Sequence, residues 1–418
     1  MSTRFPLLTF FLAVVSADEK RRVALRTAAE EWALKQVSLS QTVEYADAAC
    51  PCDSPKLCEP IKGPSPVAEL EVYGFSGGDG SGLDFTRVTT VAWADDPKLM
   101  CAAHKAGARV VMAAPGPEKV FTSNASARAE WVEGAVKAMT TNHMDGIVFD
   151  WESPCAPGAP EQRWYAVLIG ETRAALRKLN PGYQVSVCVA WSPDGIDGRN
   201  YDIAAFAAAS DLLYVMDYDT RSQIIDACVA GANAPYFGMT HGLERYLDLG
   251  VSPSQIVLGV PWYGCTPRRR LWKPPSTSRW PAPPGCDSRD CAPPYASADR
   301  YPCLADTTAD ARFCPIAEVP FRGINCSDAA GSEVAISGLL TLLPNSTTGR
   351  RWDPYQAAAY FNTVEDGTVV QHWYDDVESL RPKYAHARAL GLRGVGPFTF
   401  TDTQDPAMYK AFDAFLKA

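Results

Sequence analysis

Histidine is scarce in this chain, with five in 418 residues, and no two of them stand at metal-ligand spacing. A zinc site built on a histidine pair is therefore not expected, and nothing calls for a metal or other cofactor. Basic residues are outnumbered, 39 Lys and Arg against 48 Asp and Glu, for a net charge of −9. That balance argues against nucleic acid or an anionic membrane as partner. Long apolar runs are also missing, save one. It spans Phe5 to Val15, follows Arg4, and ends in the small-residue stretch Val15-Ser16-Ala17. A bilayer span takes about 20 residues, so residues 1–17 read as a secretory signal and no membrane span is expected.

Cysteine is plentiful: thirteen residues, with one cluster at Cys50, Cys52 and Cys58 and another from Cys265 to Cys326. In a secreted chain such clusters read as disulfides, whose pairing the sequence leaves open. Cys188, inside the apolar run Val185 to Val189, is the candidate for a buried free thiol. N-x-S/T sequons at Asn124, Asn325 and Asn345 make glycosylation the expectation at those three sites. Residues 18–49 are charged and helix-friendly, and no role is assigned to them.

From Ala68 onward the pattern turns regular. Strand-like runs occur at Leu70 to Phe75, Val88 to Trp93, Ala108 to Ala113, Gly146 to Asp150, Gln184 to Trp191, Leu212 to Tyr218, Ile256 to Trp262 and Gly394 to Phe400. Helix-like stretches such as Lys98 to Lys105, Ala125 to Met139 and Pro160 to Leu179 lie between them. Eight such units predict an α/β fold, a (β/α)8 TIM barrel over residues 50–418; a doubly wound open sheet is the alternative. The link between the seventh and eighth runs is far longer than the rest. Residues 265–368 are expected to form a Cys- and Pro-rich insertion with structure of its own. After it, Ser379 is expected to cap a helix that Gly391 ends.

The stretch Met144-Asp145-Gly146-Ile147-Val148-Phe149-Asp150-Trp151-Glu152 carries the chemistry. Read as a buried strand, it sends Val148, Asp150 and Glu152 to one face and Ile147, Phe149 and Trp151 to the other. Two carboxylates then stand side by side at the strand's C-terminal end. They cannot both ionise cheaply, so one holds a proton near neutral pH, as a general acid requires.

This stretch resembles the D-G-x-D-x-D-x-E signature of glycoside hydrolase family 18, the chitinase family. Asp145, Gly146, Asp150 and Glu152 match, and Val148 stands where the family usually has an acid. The resemblance runs on through Cys50-Pro51-Cys52, Ala190-Trp191-Ser192-Pro193, Met216-Asp217-Tyr218-Asp219, Ala232-Asn233-Ala234-Pro235-Tyr236 and Gly259-Val260-Pro261-Trp262-Tyr263-Gly264. It implies a hydrolase that cleaves β-1,4-linked N-acetylglucosamine, in chito-oligosaccharides or the chitobiose core of N-glycans, acting from the reducing end. It also implies a monomeric, lysosomal or secreted protein. In the family the substrate's own 2-acetamido oxygen attacks, giving an oxazolinium ion. Glu152 falls where the general acid stands, and Asp150 and Tyr218 where the acetamido group is held. Asp145, Trp191, Met216, Asp219, Trp262, Tyr263, Trp373 and Phe398 are expected around the sugar, Phe398 replacing the usual Trp.

Three rivals share some of these features. Gly74-Phe75-Ser76-Gly77-Gly78 fits the nucleophile elbow of a serine esterase, but no helix-like stretch follows it. A sugar-binding lectin of the same family would lack the acid, which is present here. An endo-acting chitinase or endo-N-acetylglucosaminidase differs only in its products.

Overall fold

The computed structural model describes residues 49–61, 70–93, 96–220, 228–264, 300–302, scattered positions from 309 to 331, 334–402 and 405–417. The expected signal (1–17), most of the 18–49 extension, Asn325 and the Pro-rich stretch 272–285 lie outside these residues.

Eight parallel strands close into a barrel: β1 (Glu71–Phe75), β2 (Thr90–Ala92), β3 (Arg109–Ala113), β4 (Gly146–Phe149), β5 (Gln184–Ala190), β6 (Leu212–Met216), β7 (Ile256–Pro261) and β8 (Gly394–Phe398). Each pairs with its neighbours in sequence and β8 pairs back onto β1, so the TIM barrel holds and the open sheet is excluded. Around it lie α1 (Pro97–Ala106), α2 (Ala125–Thr141), α3 (Pro160–Leu179), α4 (Ile203–Ala209), α5 (Tyr236–Asp248), α6 (Ile336–Leu342) and α7 (Val377–Ala389). No helix among the described residues is long and apolar enough to cross a membrane.

The alternation read from the sequence explains the two cores. Ile147, Phe149 and Trp151 pack outward against the helices. Val148 packs inward with Tyr73, Phe75, Val111, Cys188, Tyr214 and Met216. Gly146 is required for a different reason: a Cβ there would run into the carbonyl oxygen of Gln184 on β5. The barrel's lower end is polar. Glu71 is fully buried on β1, where its carboxylate accepts from Thr89, Thr90 and Arg393.

Between β7 and β8 the described residues of the insertion form two small antiparallel sheets. One joins Tyr263–Gly264 to Val334–Ala335. The other has the order Arg351–Asp353, Ala358–Glu365, Thr368–Tyr374, Arg300–Pro302. The hairpin Ala358–Tyr374 straddles position 368. The α7 cap differs in detail from the one expected. Asp376 is the N-cap and Ser379 the return partner of a capping box, because the aspartate can bond two backbone amides at once. Gly391, at φ 69°, follows the helix end as expected.

Disulfides join Cys50 to Cys58, Cys52 to Cys101 and Cys228 to Cys326. Such bonds persist in oxidising compartments. The Cys50–Cys52–Cys58 cluster is thereby oxidised and offers no thiolate to a metal. Cys188 is free and buried, as expected, and so is Cys155, which the sequence reading did not single out.

Candidate active site

Asp150 and Glu152 follow β4 at the barrel's C-terminal end, where loops gather and TIM-barrel sites form. They differ sharply in surroundings. Glu152 has about half its side chain exposed, and its Oε2 accepts from Arg199 at 2.7 Å. Asp150 lies lower. Its Oδ1 is buried with no hydrogen-bond partner. Burial first, and the charge of Glu152 second, push the Asp150 carboxyl up to about 7, against the pull of Arg199 and of the Cys188 thiol. The pair therefore holds one proton near neutral pH, as two adjacent carboxyls should. The member the surroundings favour as its holder is Asp150, not the glutamate that the acid's part would suggest.

Val148 sits below Asp150, fully buried among apolar neighbours. It neither donates nor accepts. The polar groups nearby come from other strands: Cys188 of β5, and the Tyr73 hydroxyl of β1 bonded to Ser186 Oγ at 2.8 Å.

Beyond β6, Tyr218 stacks on Phe398 with ring centres 5.3 Å apart, and Tyr263 meets Phe398 edge-on at 6.1 Å. Burial raises the Tyr218 phenol well above its ordinary value, so it stays a donor at every physiological pH. Tyr263 donates to Asp219 Oδ1 at 2.8 Å. Asn233 holds the Asp219 backbone amide through its side-chain oxygen, fixing a left-handed turn at φ 55°. Trp93 completes this aromatic rim. It touches Phe75 at 4.9 Å and Phe398 at 5.5 Å, both edge-on, and remains 38% exposed. The sequence reading took Trp93 only as the end of a strand. Its φ of 59° turns the chain there and keeps the ring at the mouth.

Three expected sugar contacts lie elsewhere. Asp145 is at the opposite, N-terminal end of β4 and fully buried; its oxygens accept from Ile61 N, Val110 N and His104 Nε2 at 2.8–2.9 Å. It ties the barrel base together and has no lone pair turned to the mouth. Trp262 follows β7 on the outer side, fully buried against Phe400, Tyr409 and Phe412, with its Nε1 bonded to the Tyr384 hydroxyl. Trp373 is the core of the second small sheet, stacked on Tyr360 at 4.6 Å and bonded to Gln371. Both tryptophans are strand-end aromatics that fill a second core.

Met216 is buried in the barrel interior. Trp191 is buried just past β5; its ring centre is 6.4 Å from that of His241, and its Nε1 has no protein partner. Asp217, the middle residue of Met216-Asp217-Tyr218, is buried; burial raises its carboxyl to about 8, opposed by Lys383. The sequons Asn124 and Asn345 are both exposed.

Ser76 is buried and its hydroxyl donates to the Gly77 carbonyl at 3.1 Å. No helix follows until Pro97, so the elbow of a serine esterase is not formed.

Residues 102–402 match the family described as glycosyl hydrolases family 18. The chain is 36% identical over 352 residues to the di-N-acetylchitobiase of Rattus norvegicus, covering 83% of this chain and 85% of that protein. It is 34% identical over 368 residues to the probable di-N-acetylchitobiase 2 of Dictyostelium discoideum, covering 85% and 87%. The family 18 chitinase of Cycas revoluta, solved in complex with (GlcNAc)3, shares the fold at a TM-score of 0.60 and 18% identity, over 83% of this chain and 99% of that one.

Proposed function

The chain belongs to glycosyl hydrolases family 18, and from that premise we propose that it cleaves β-1,4-linked N-acetylglucosamine oligosaccharides from the reducing end, as a chitobiase does. One observation carries the reading: an aspartate with a buried, unpartnered Oδ1 two residues before an accessible glutamate, at the C-terminal end of a barrel strand.

In this reading Glu152 protonates the glycosidic oxygen as the bond breaks. The Asp150 carboxyl and the Tyr218 hydroxyl hold the acetamido group so that its own oxygen attacks the sugar carbon, which is a positioning effect. Glu152 then takes a proton from the water that opens the oxazolinium ion. Trp93 and Phe398 share the sugar-facing surface that a single tryptophan supplies in most of the family. Asp219, fixed by Tyr263, accepts from a sugar hydroxyl. The disulfides among the described residues suit a lysosomal or secreted enzyme.

The test is mass spectrometry of products from a chitotriose labelled at its reducing end. Release of labelled monosaccharide with unlabelled chitobiose is expected. Labelled chitobiose would overturn reducing-end action, and an intact trimer would overturn the activity.

A further inference from the structure

Arg199 stands in a loop that the signature does not include, yet it touches the acid. Three of its groups are committed. Its Nε donates to the Ile196 carbonyl at 3.3 Å, one terminal nitrogen to Asp197 at 3.0 Å and the other to Glu152 Oε2 at 2.7 Å. The side chain is only 8% exposed. Burying a guanidinium is costly unless its charge is met, and here two carboxylates meet it.

The loop itself is pinned to the segment that carries Glu152. Cys155 and Arg199 form a bridge in which Cys155 N donates to the Gly198 carbonyl at 2.9 Å and Asn200 N to the Cys155 carbonyl at 3.2 Å. The Asn200 side chain adds a bond to the Cys155 carbonyl at 3.0 Å. Tyr201 stacks on Trp151 and donates to the carbonyls of Trp151 and Ser153. Two βα loops are thus tied together by backbone and side-chain bonds, and the guanidinium is held against the glutamate. Such preorganisation is what a catalytic group needs from its neighbours.

We propose that Arg199 is a positioning residue for Glu152: it fixes Oε2 and keeps this carboxyl ionised in the empty site, so that the pair's resting proton lies on Asp150. Oε1 is left for the glycosidic oxygen. When substrate enters, the proton count of the pair does not change. Asp150 gives up its proton and becomes the carboxylate that faces the acetamido group, and Glu152 becomes the acid. The inference rests on the proposed glycosidase reading for its use in turnover, but the contact of Arg199 with Glu152 Oε2 and the unpartnered Oδ1 of Asp150 do not depend on that reading. Among the described residues, these charged and titratable groups surround the pair. Glu152 is faced by Asp150, by Arg199 and Asp197 of the β5–α4 loop, by Tyr201, and by Arg322, which donates to its backbone carbonyl at 3.2 Å. Asp150 is faced by Glu152, Arg199, Cys188, Tyr73, Tyr165, Tyr201, Tyr214 and Tyr218, and Cys188 and Tyr218 face Glu152 as well.

Two measurements test this. The first is carbon-13 carboxyl NMR of the wild-type protein, without substrate, through the pair's last deprotonation. The Asp150 carbon is expected to move; movement of the Glu152 carbon in that step overturns the proposal. This holds whether or not the protein cleaves sugars, so it separates this inference from the proposed activity. The second is the pH profile of kcat/KM on chitotriose for Arg199→Gln and Arg199→Lys. Losing an adjacent cation raises a carboxyl's affinity for protons, so the upper limb of the Gln variant should move up by about one pH unit. The Lys variant keeps the charge but loses the fork, so its rate falls while its limb stays in place. A folded Gln variant whose limb coincides with wild type would reduce Arg199 to a structural tie and overturn the proposal.

Discussion

The two ends of β4 bear carboxylates from the same nine-residue stretch, and they live in opposite conditions. At the base, Asp145 is fully buried and fully served: two backbone amides and an imidazole fill its oxygens. At the top, Asp150 is half-buried with Oδ1 shut away and unserved, and Glu152 is open to solvent and to Arg199. Satisfaction makes the first a structural bond. Want of it makes the second reactive, because an unserved buried carboxyl keeps its proton until something arrives to take its place. A four-residue strand places both, so the fold that the base secures is the frame that the top uses.

Breaking each end separately should show the division. Glu152→Gln keeps the shape but removes the transferable proton. It is expected to lower kcat/KM on chitotriose by about 10²–10⁴-fold, the usual yield of general acid catalysis, in a protein that circular dichroism shows to be folded. Activity within a few-fold of wild type would remove Glu152 from the acid's part. Asp145→Ala should do the reverse. Removing this buried carboxylate strands three donors, the Ile61 and Val110 amides and His104 Nε2, at about 1–3 kcal/mol each. Denaturant unfolding would read that loss, while the folded fraction keeps kcat/KM near wild type. A stable but inactive Asp145→Ala protein would return this residue to the sugar site.

Much of this was legible in the sequence because period-two alternation is local. Eight apolar runs give eight strands, and residues 147–151 divide between two cores as their parity requires. What parity cannot give is the far partner. Asp145 is served from Ile61 and His104, 84 and 41 residues upstream, so nothing near it in sequence shows that it is satisfied. Arg199 comes from the next βα loop, 47 residues downstream of Glu152. At strand ends the alternation also lapses. Trp262 and Trp373 turn into other cores, whereas Trp93, through a left-handed backbone, turns to the mouth.

The smallest effect expected is a difference in how the two ends answer to pH. At the top, the pair's last proton leaves near pH 7, so kcat/KM should fall about tenfold per unit above that value. At the base, both ring nitrogens of His104 face acceptors: Nδ1 the Leu57 carbonyl at 2.6 Å, Nε2 the Asp145 carboxylate at 2.8 Å. Only the imidazolium donates from both. Burial opposes that charge, but the hydrogen bond and charge of Asp145 and the Leu57 carbonyl outweigh it, and the pKa is raised above 6.5. A raised folded value means the proton is bound more tightly in the native state. The stability it contributes is full below about pH 6.5 and is lost as pH rises through the folded value. His104→Gln can keep one hydrogen bond but not the charge. It should lower stability in mild acid by no more than about 1.5–3 kcal/mol, the range of a charged hydrogen bond, and abolish the decline toward alkaline pH. Urea midpoints from pH 5 to 9 for both proteins would read this. Parallel curves would mean His104 is neutral at the base. The acid preference would then belong to the top of the strand alone.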